Sequence, residues 1–135
     1  MAEEKENKSA KDAYAEGTEY QFDTTELSLG PWTSYSVLHD PKHLVFTLAR
    51  YKFVAKMLAG RDTVLEVGPG DGIGLPIIAQ VAKKVIAVDW DERLIEGNKR
   101  RLKDIPNIEH LCIDLNEVTL DKKADAAFSV DVIEH

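Results

Sequence analysis

Cysteine is nearly absent: Cys112 is the only one in 135 residues, so no internal disulfide framework holds this chain together. It lies in the apolar stretch Leu111-Cys112-Ile113, where a small buried hydrophobe is expected rather than a nucleophile. Long hydrophobic runs are missing too, and nothing approaches the roughly 18 apolar residues of a membrane span. Met1 to Lys11 is charged and lacks an apolar signal core, so secretion is not expected and the cytoplasm is the default compartment. Positive charge is in short supply. Lys and Arg number 17 against 24 Asp and Glu, a formal net charge of -7, which argues against nucleic acid or an anionic membrane as the main partner. The single compact basic cluster, Lys99-Arg100-Arg101, reads as a solvated helix face.

What is present suits one soluble globular domain, with 44% apolar and 30% charged residues. Residues 1–19 are too polar to repay the entropy of ordering and are expected to form a disordered tail. Residues 20–60 read as an N-terminal arm and helix. Aromatic and apolar side chains return at Phe22, Leu27, Trp32 and Tyr35, with a turn at Gly30-Pro31. Asp40-Pro41 is a good helix start, since Asp caps free N–H groups and Pro fits the first turn. Leu44, Leu48, Tyr51, Ala55 and Leu58 then recur at helical spacing up to Gly60.

From residue 61 to 135 strands and helices alternate. Short apolar runs at Thr63–Val67, Val85–Val88, Ile108–Ile113 and Ala124–Val130 read as strands. Between them, Ile73, Ile77, Ile78 and Val81 form one helical face, and Leu94, Ile95 and Leu102 another. This order predicts an α/β fold: a mainly parallel, doubly wound sheet with helices on both faces.

The acids carry the functional signal. Glu66, Asp89, Asp114 and Asp131 each fall at or near the C-terminal end of a predicted strand, and ligands of open α/β sheets bind beyond those ends. Helix capping explains any one of them, but not Glu66, which precedes the glycine-rich turn Gly68-Pro69-Gly70-Asp71-Gly72. That turn lies between a strand and a helix, the context in which glycines matter for ligand approach. Asp89 follows about 20 residues later, where a carboxylate takes ribose hydroxyls. These features indicate a nucleoside-containing ligand. A dinucleotide motif would have glycine at position 73, which is Ile, and Asp71 would repel a pyrophosphate. Pro76 belongs near a helix start, so the helix should open late. An acid-rich pocket suits a cationic, phosphate-free nucleoside better than NAD, although an NAD-dependent oxidoreductase stays open as the lesser alternative.

Val64-Leu65-Glu66-Val67-Gly68-Pro69-Gly70-Asp71-Gly72, then Ile86-Ala87-Val88-Asp89, Cys112-Ile113-Asp114-Leu115 and Ala126 to His135 resemble the ordered motifs of class I S-adenosylmethionine-dependent methyltransferases. The resemblance implies a Rossmann-like fold, S-adenosylmethionine as cofactor and methyl transfer to an acceptor. It implies that Gly68 and Gly70 shape the loop under the methionine moiety, with cofactor-side Pro69 between them standing where many relatives have a small residue such as Cys or Ala, and that Glu66 orients the amino end. Asp89 would hold the ribose, Trp90 cover the adenine, Asp114 and Leu115 bind the adenine edge, and Val130 and Asp131 face the methyl-donor end. A small-molecule acceptor is expected ahead of nucleic acid, with neither its identity nor a catalytic base assigned. The family's sheet has about seven strands, so these residues are expected to form a cofactor-holding portion truncated after about the fourth. A non-catalytic S-adenosylmethionine-binding module is the alternative.

Asp131, Glu134 and His135 resemble a metal-binding group of related O-methyltransferases, but polar capping after a strand is the favoured reading. His39 and His43 lack a third ligand, so no metal is expected. Trp32 and Tyr35 read either as a lid over the cofactor or as simple packing of the arm.

Overall fold

The computed structural model describes residues 8–24 and 26–132. Its elements run α1 (Ala10–Thr24), α2 (Pro31–His39), α3 (Pro41–Leu58), β1 (Thr63–Val67), α4 (Leu75–Ala79), β2 (Lys84–Asp89), α5 (Glu92–Arg101), β3 (Ile108–Cys112) and β4 (Ala126–Phe128). The four strands form one sheet in the order β3-β2-β1-β4, and every pairing is parallel. Val64 is in register with Val85 on one side and Ala126 on the other. The chain builds outward from β1 to β3, then crosses back to place β4 on the opposite side. The C-terminal ends of β1 and β4 therefore flank the point where the winding reverses, the standard position for a ligand crevice.

Alternation along β1 sorts its side chains. Val64 and Glu66 are fully buried, while Thr63, Leu65 and Val67 are half-buried. The buried face meets Tyr51, Ala55 and Leu58 of α3 and Leu75 and Ile78 of α4, joined by Val85 and Ala87. That is the α3 stripe expected from the sequence. Asp40 caps α3, accepting from the His43 N–H at 3.3 Å, and Asp91 caps α5, accepting from Arg93 N at 3.0 Å. Helix α4 opens late, with Pro76 in its first turn.

Three expectations need correction. Residues 10–19, expected to be disordered, lie in α1. Ser9 starts that helix: its Oγ accepts from Asp12 N at 3.2 Å and donates to Asp12 Oδ2 at 2.5 Å, a close relative of the capping box. Their low hydrophobicity shows in another way, because nearly every side chain from Lys8 to Glu19 is exposed. The turn at Gly30-Pro31 is the start of α2, with Pro at its opening position. Cys112 is exposed, since β3 is an edge strand and leaves that end uncovered; its Sγ lies 3.5 Å from the Trp90 carbonyl. Among the described residues no helix is long and apolar enough to cross a membrane.

Candidate cofactor cleft

The glycine-rich loop leaves β1 and turns on three glycines with positive φ, Gly68 at 71°, Gly70 at 58° and Gly72 at 77°. Only glycine adopts such angles without strain. Space is a second constraint. A Cβ on Gly68 would come within 2.6 Å of Val132, and one on Gly70 within 2.8 Å of the Trp32 ring. The loop is braced from behind. Gly68 N donates to the Val88 carbonyl at 2.8 Å, and the buried Asn98 amide donates to the Gly70 carbonyl at 2.8 Å. Arg101 reaches the Asp71 carbonyl at 3.2 Å and Asn98 Oδ1 at 2.9 Å, so part of the basic cluster supports the loop.

Two adjoining hollows open at the C-terminal edge of the sheet. One, of about 600 Å³, is lined among others by Gly68, Gly70, Asp89, Trp90, Asp114 and Leu115. The other, of about 560 Å³, is lined by Pro69, Asp71, Tyr51, Arg50, His43 and Val130 among others. Trp32, Gly68, Gly70 and Asp131 line both and mark the seam. Gly68, Pro69, Gly70, Asp89, Trp90, Asp114, Leu115, Val130 and Asp131 thus line one or both of these neighbouring hollows.

Glu66 does not join them. Position 66 falls on the same side of β1 as Val64, and its side chain is fully buried. Tyr51 donates a hydrogen bond to Oε1, and Oε2 has no partner among the described residues. Burial pushes the Glu66 carboxyl up to about 8, the Tyr51 hydrogen bond opposing the shift only in part. The Tyr51 phenol is raised as well, first by burial and then by the neighbouring Glu66 charge. Glu66 thus reaches the second hollow only through Tyr51, which lines it.

The remaining acids keep acceptor capacity at the rim. Asp89 Oδ1 accepts from Asp91 N at 3.0 Å, and Asp114 Oδ1 from Asn116 N at 2.9 Å. Each carboxylate can take further donors. Asp131 has a positive φ of 56°, uncommon for a residue with a side chain, and both of its oxygens lie 2.7 Å from Arg50 Nη1. Sequence reasoning missed Arg50; it lay among the polar residues of α3, and only the folded pairing marks it. Asp71 does not stand at the start of the following helix. Its carboxylate accepts from Thr33 N at 2.7 Å and Thr33 Oγ1 at 2.9 Å. Tyr35 is exposed and stacks at a tilt against His39, outside both hollows. Glu134 and His135 lie outside the described residues.

Residues 65–135 match the family described as "Methyltransferase domain". The chain belongs to that family. A probable S-adenosylmethionine-dependent methyltransferase of Mycobacterium tuberculosis (strain ATCC 25618 / H37Rv) is 40% identical over 90 residues, 64% of this chain and 32% of the relative. A probable ribosomal RNA small subunit methyltransferase A of Methanopyrus kandleri is 43% identical over 56 residues, 42% of this chain and 20% of the relative. Among solved structures, a SAM-dependent methyltransferase from Aquifex aeolicus superposes with a TM-score of 0.55 at 27% identity, covering 72% of this chain and 55% of that one. The Rossmann-like methyltransferase fold is therefore present here in part, and the chain spans about a third of the mycobacterial relatives' length, 32%.

Proposed function

We propose that this chain holds S-adenosylmethionine in the cleft and forms the cofactor-binding part of a methyltransferase. The observation that carries the proposal is the shared hollow in which Asp89, Trp90, Asp114 and Leu115 stand around the glycine loop. Asp89 suits the two ribose hydroxyls, being a buried carboxylate with lone pairs in hand. The exposed Trp90 indole offers a flat face for adenine, and Asp114 beside the Leu115 backbone suits its amino edge. Asp89 and Asp114 border the first hollow, so a cationic, phosphate-free nucleoside is better suited to it than a pyrophosphate. When bound, the cofactor supplies an electrophilic methyl group. The residues of this chain would act by holding and aligning, and by excluding water, effects worth several kcal/mol when geometry is right.

Calorimetric titration with S-adenosylhomocysteine and, separately, NADH tests the reading. Wild-type protein is expected to bind the former, and Asp89→Ala to lose roughly 2–4 kcal/mol, the value of two hydrogen bonds to a charged group. Tighter binding of NADH would overturn it.

The acceptor divides into two readings. A small molecule fits the acidic balance and the size of the 560 Å³ hollow. RNA is favoured by one local feature: α3 carries Lys42, Arg50, Lys52 and Lys56 with no acid from Pro41 to Leu58, and the Methanopyrus relative's name mentions ribosomal RNA. Salt-dependent RNA retention that is lost in Lys52→Glu/Lys56→Glu would select the second.

A further inference from the structure

Helix α2 cannot cap itself. Its N-cap is Gly30, which has no side chain to offer, and no capping hydrogen bond comes from its own segment. The carboxylate that does the job belongs to Asp71, 38 residues further along, accepting from the N–H and the hydroxyl of Thr33 in the first turn. Both Thr33 and Asp71 are buried. The fit is close: a Cβ on Gly30 would lie 2.3 Å from Asp71 Cβ. One residue before Thr33, Trp32 lies against Gly70 and lines both hollows.

We propose that α2 is a lid on the cofactor cleft and that Asp71 is its latch, a positioning residue that sets Trp32 over the seam between the two hollows. The inference rests on the cofactor reading for what lies beneath the lid, but not for the latch itself. Asp71 sits in the glycine-rich loop, so the same loop that would contact the ligand also determines whether α2 is docked. Docking and ligand binding are then linked: a ligand under Trp32 favours the docked helix, and a docked helix raises affinity. The charge on Asp71 suits this task, because a carboxylate at a helix N-terminus meets both free N–H groups and the positive end of the helix dipole.

Two variants attack the latch from opposite sides. Asp71→Ala removes the acceptor, and Gly30→Ala puts a methyl group where the Asp71 side chain packs. Thr33→Val is the milder third, keeping the N–H contact and losing only the hydroxyl. Circular dichroism first establishes that each variant is folded. Amide exchange over residues 31–39 in the full chain, without ligand, then reads docking directly. Faster exchange there in Asp71→Ala and Gly30→Ala, with β1 and β2 unchanged, is expected. S-adenosylhomocysteine titrated in the same proteins should bind roughly tenfold more weakly, the size of a lost helix cap, with Thr33→Val between wild type and Asp71→Ala. Exchange in α2 unchanged in both alanine variants overturns the latch. Faster exchange with affinity unaltered overturns the lid. Wild-type protein that fails to bind S-adenosylhomocysteine overturns the cofactor reading instead, and leaves the latch to be judged on exchange alone.

Discussion

A carboxyl group pushed up to about 8, as Glu66 is by burial beside Tyr51, makes stability depend on pH in the direction opposite to an ordinary salt-bridged acid. The folded chain holds the Glu66 proton more tightly than the unfolded chain, whose carboxyl titrates near 4.3. No penalty exists below about pH 4. It grows as pH rises and is complete above about pH 8. Glutamine has the same shape and no charge to desolvate, and its carbonyl can still accept from Tyr51. Glu66→Gln should therefore be more stable than wild type at pH 8, by about 1–3 kcal/mol. Urea midpoints measured from pH 5 to pH 8.5 check this; the advantage should shrink towards pH 5. An advantage that does not vary with pH would mean that Glu66 is not titrating in this range.

Among the elements, α5 is tied to the cleft by a side chain rather than by strand pairing. Asn98 is fully buried and spans the gap from α5 to the Gly70 carbonyl, with Arg101 donating to its other end. Asn98→Ala would strand a buried carbonyl and open a void. We expect a loss of about 2–3 kcal/mol, read as a lower denaturation midpoint. Such a brace is invisible in sequence, where Asn98 is one polar residue of a charged helix. The strands were readable, because apolar β-branched runs ending in acids recur at βαβ spacing, and α3 was readable from Asp40-Pro41 and its apolar stripe. Helix α2 was not, since Gly30-Pro31 looks like a turn and its cap comes from 38 residues away. At the site, Asp89, Asp114 and Asp131 could be placed by their strand ends. The full burial of Glu66 against Tyr51 was not legible, because it depends on which side of β1 α3 covers, and Arg50 emerged only through its pairing with Asp131.

On the scale of the whole molecule, the described sheet ends in two open edges, β3 and β4. Beside β4, α3 exposes Phe46, Phe53 and Met57, each more than 60% accessible. These side chains lie four or seven residues apart and so share one helix face. An apolar face next to an unpaired strand edge promotes association. The isolated chain should therefore show an average mass that rises with concentration in sedimentation experiments. Phe53→Glu should reduce that rise while leaving the far-ultraviolet spectrum unchanged. An unaltered concentration dependence would locate the contact elsewhere.

The exposed sulfur at the end of β3 has a practical consequence. With Cys112 the chain's sole thiol, a maleimide dye or nitroxide attached to unmodified protein goes to one address, beside Trp90 at the rim of the 600 Å³ hollow. Changes at the cleft mouth can thus be followed by fluorescence or electron spin resonance without engineering a handle.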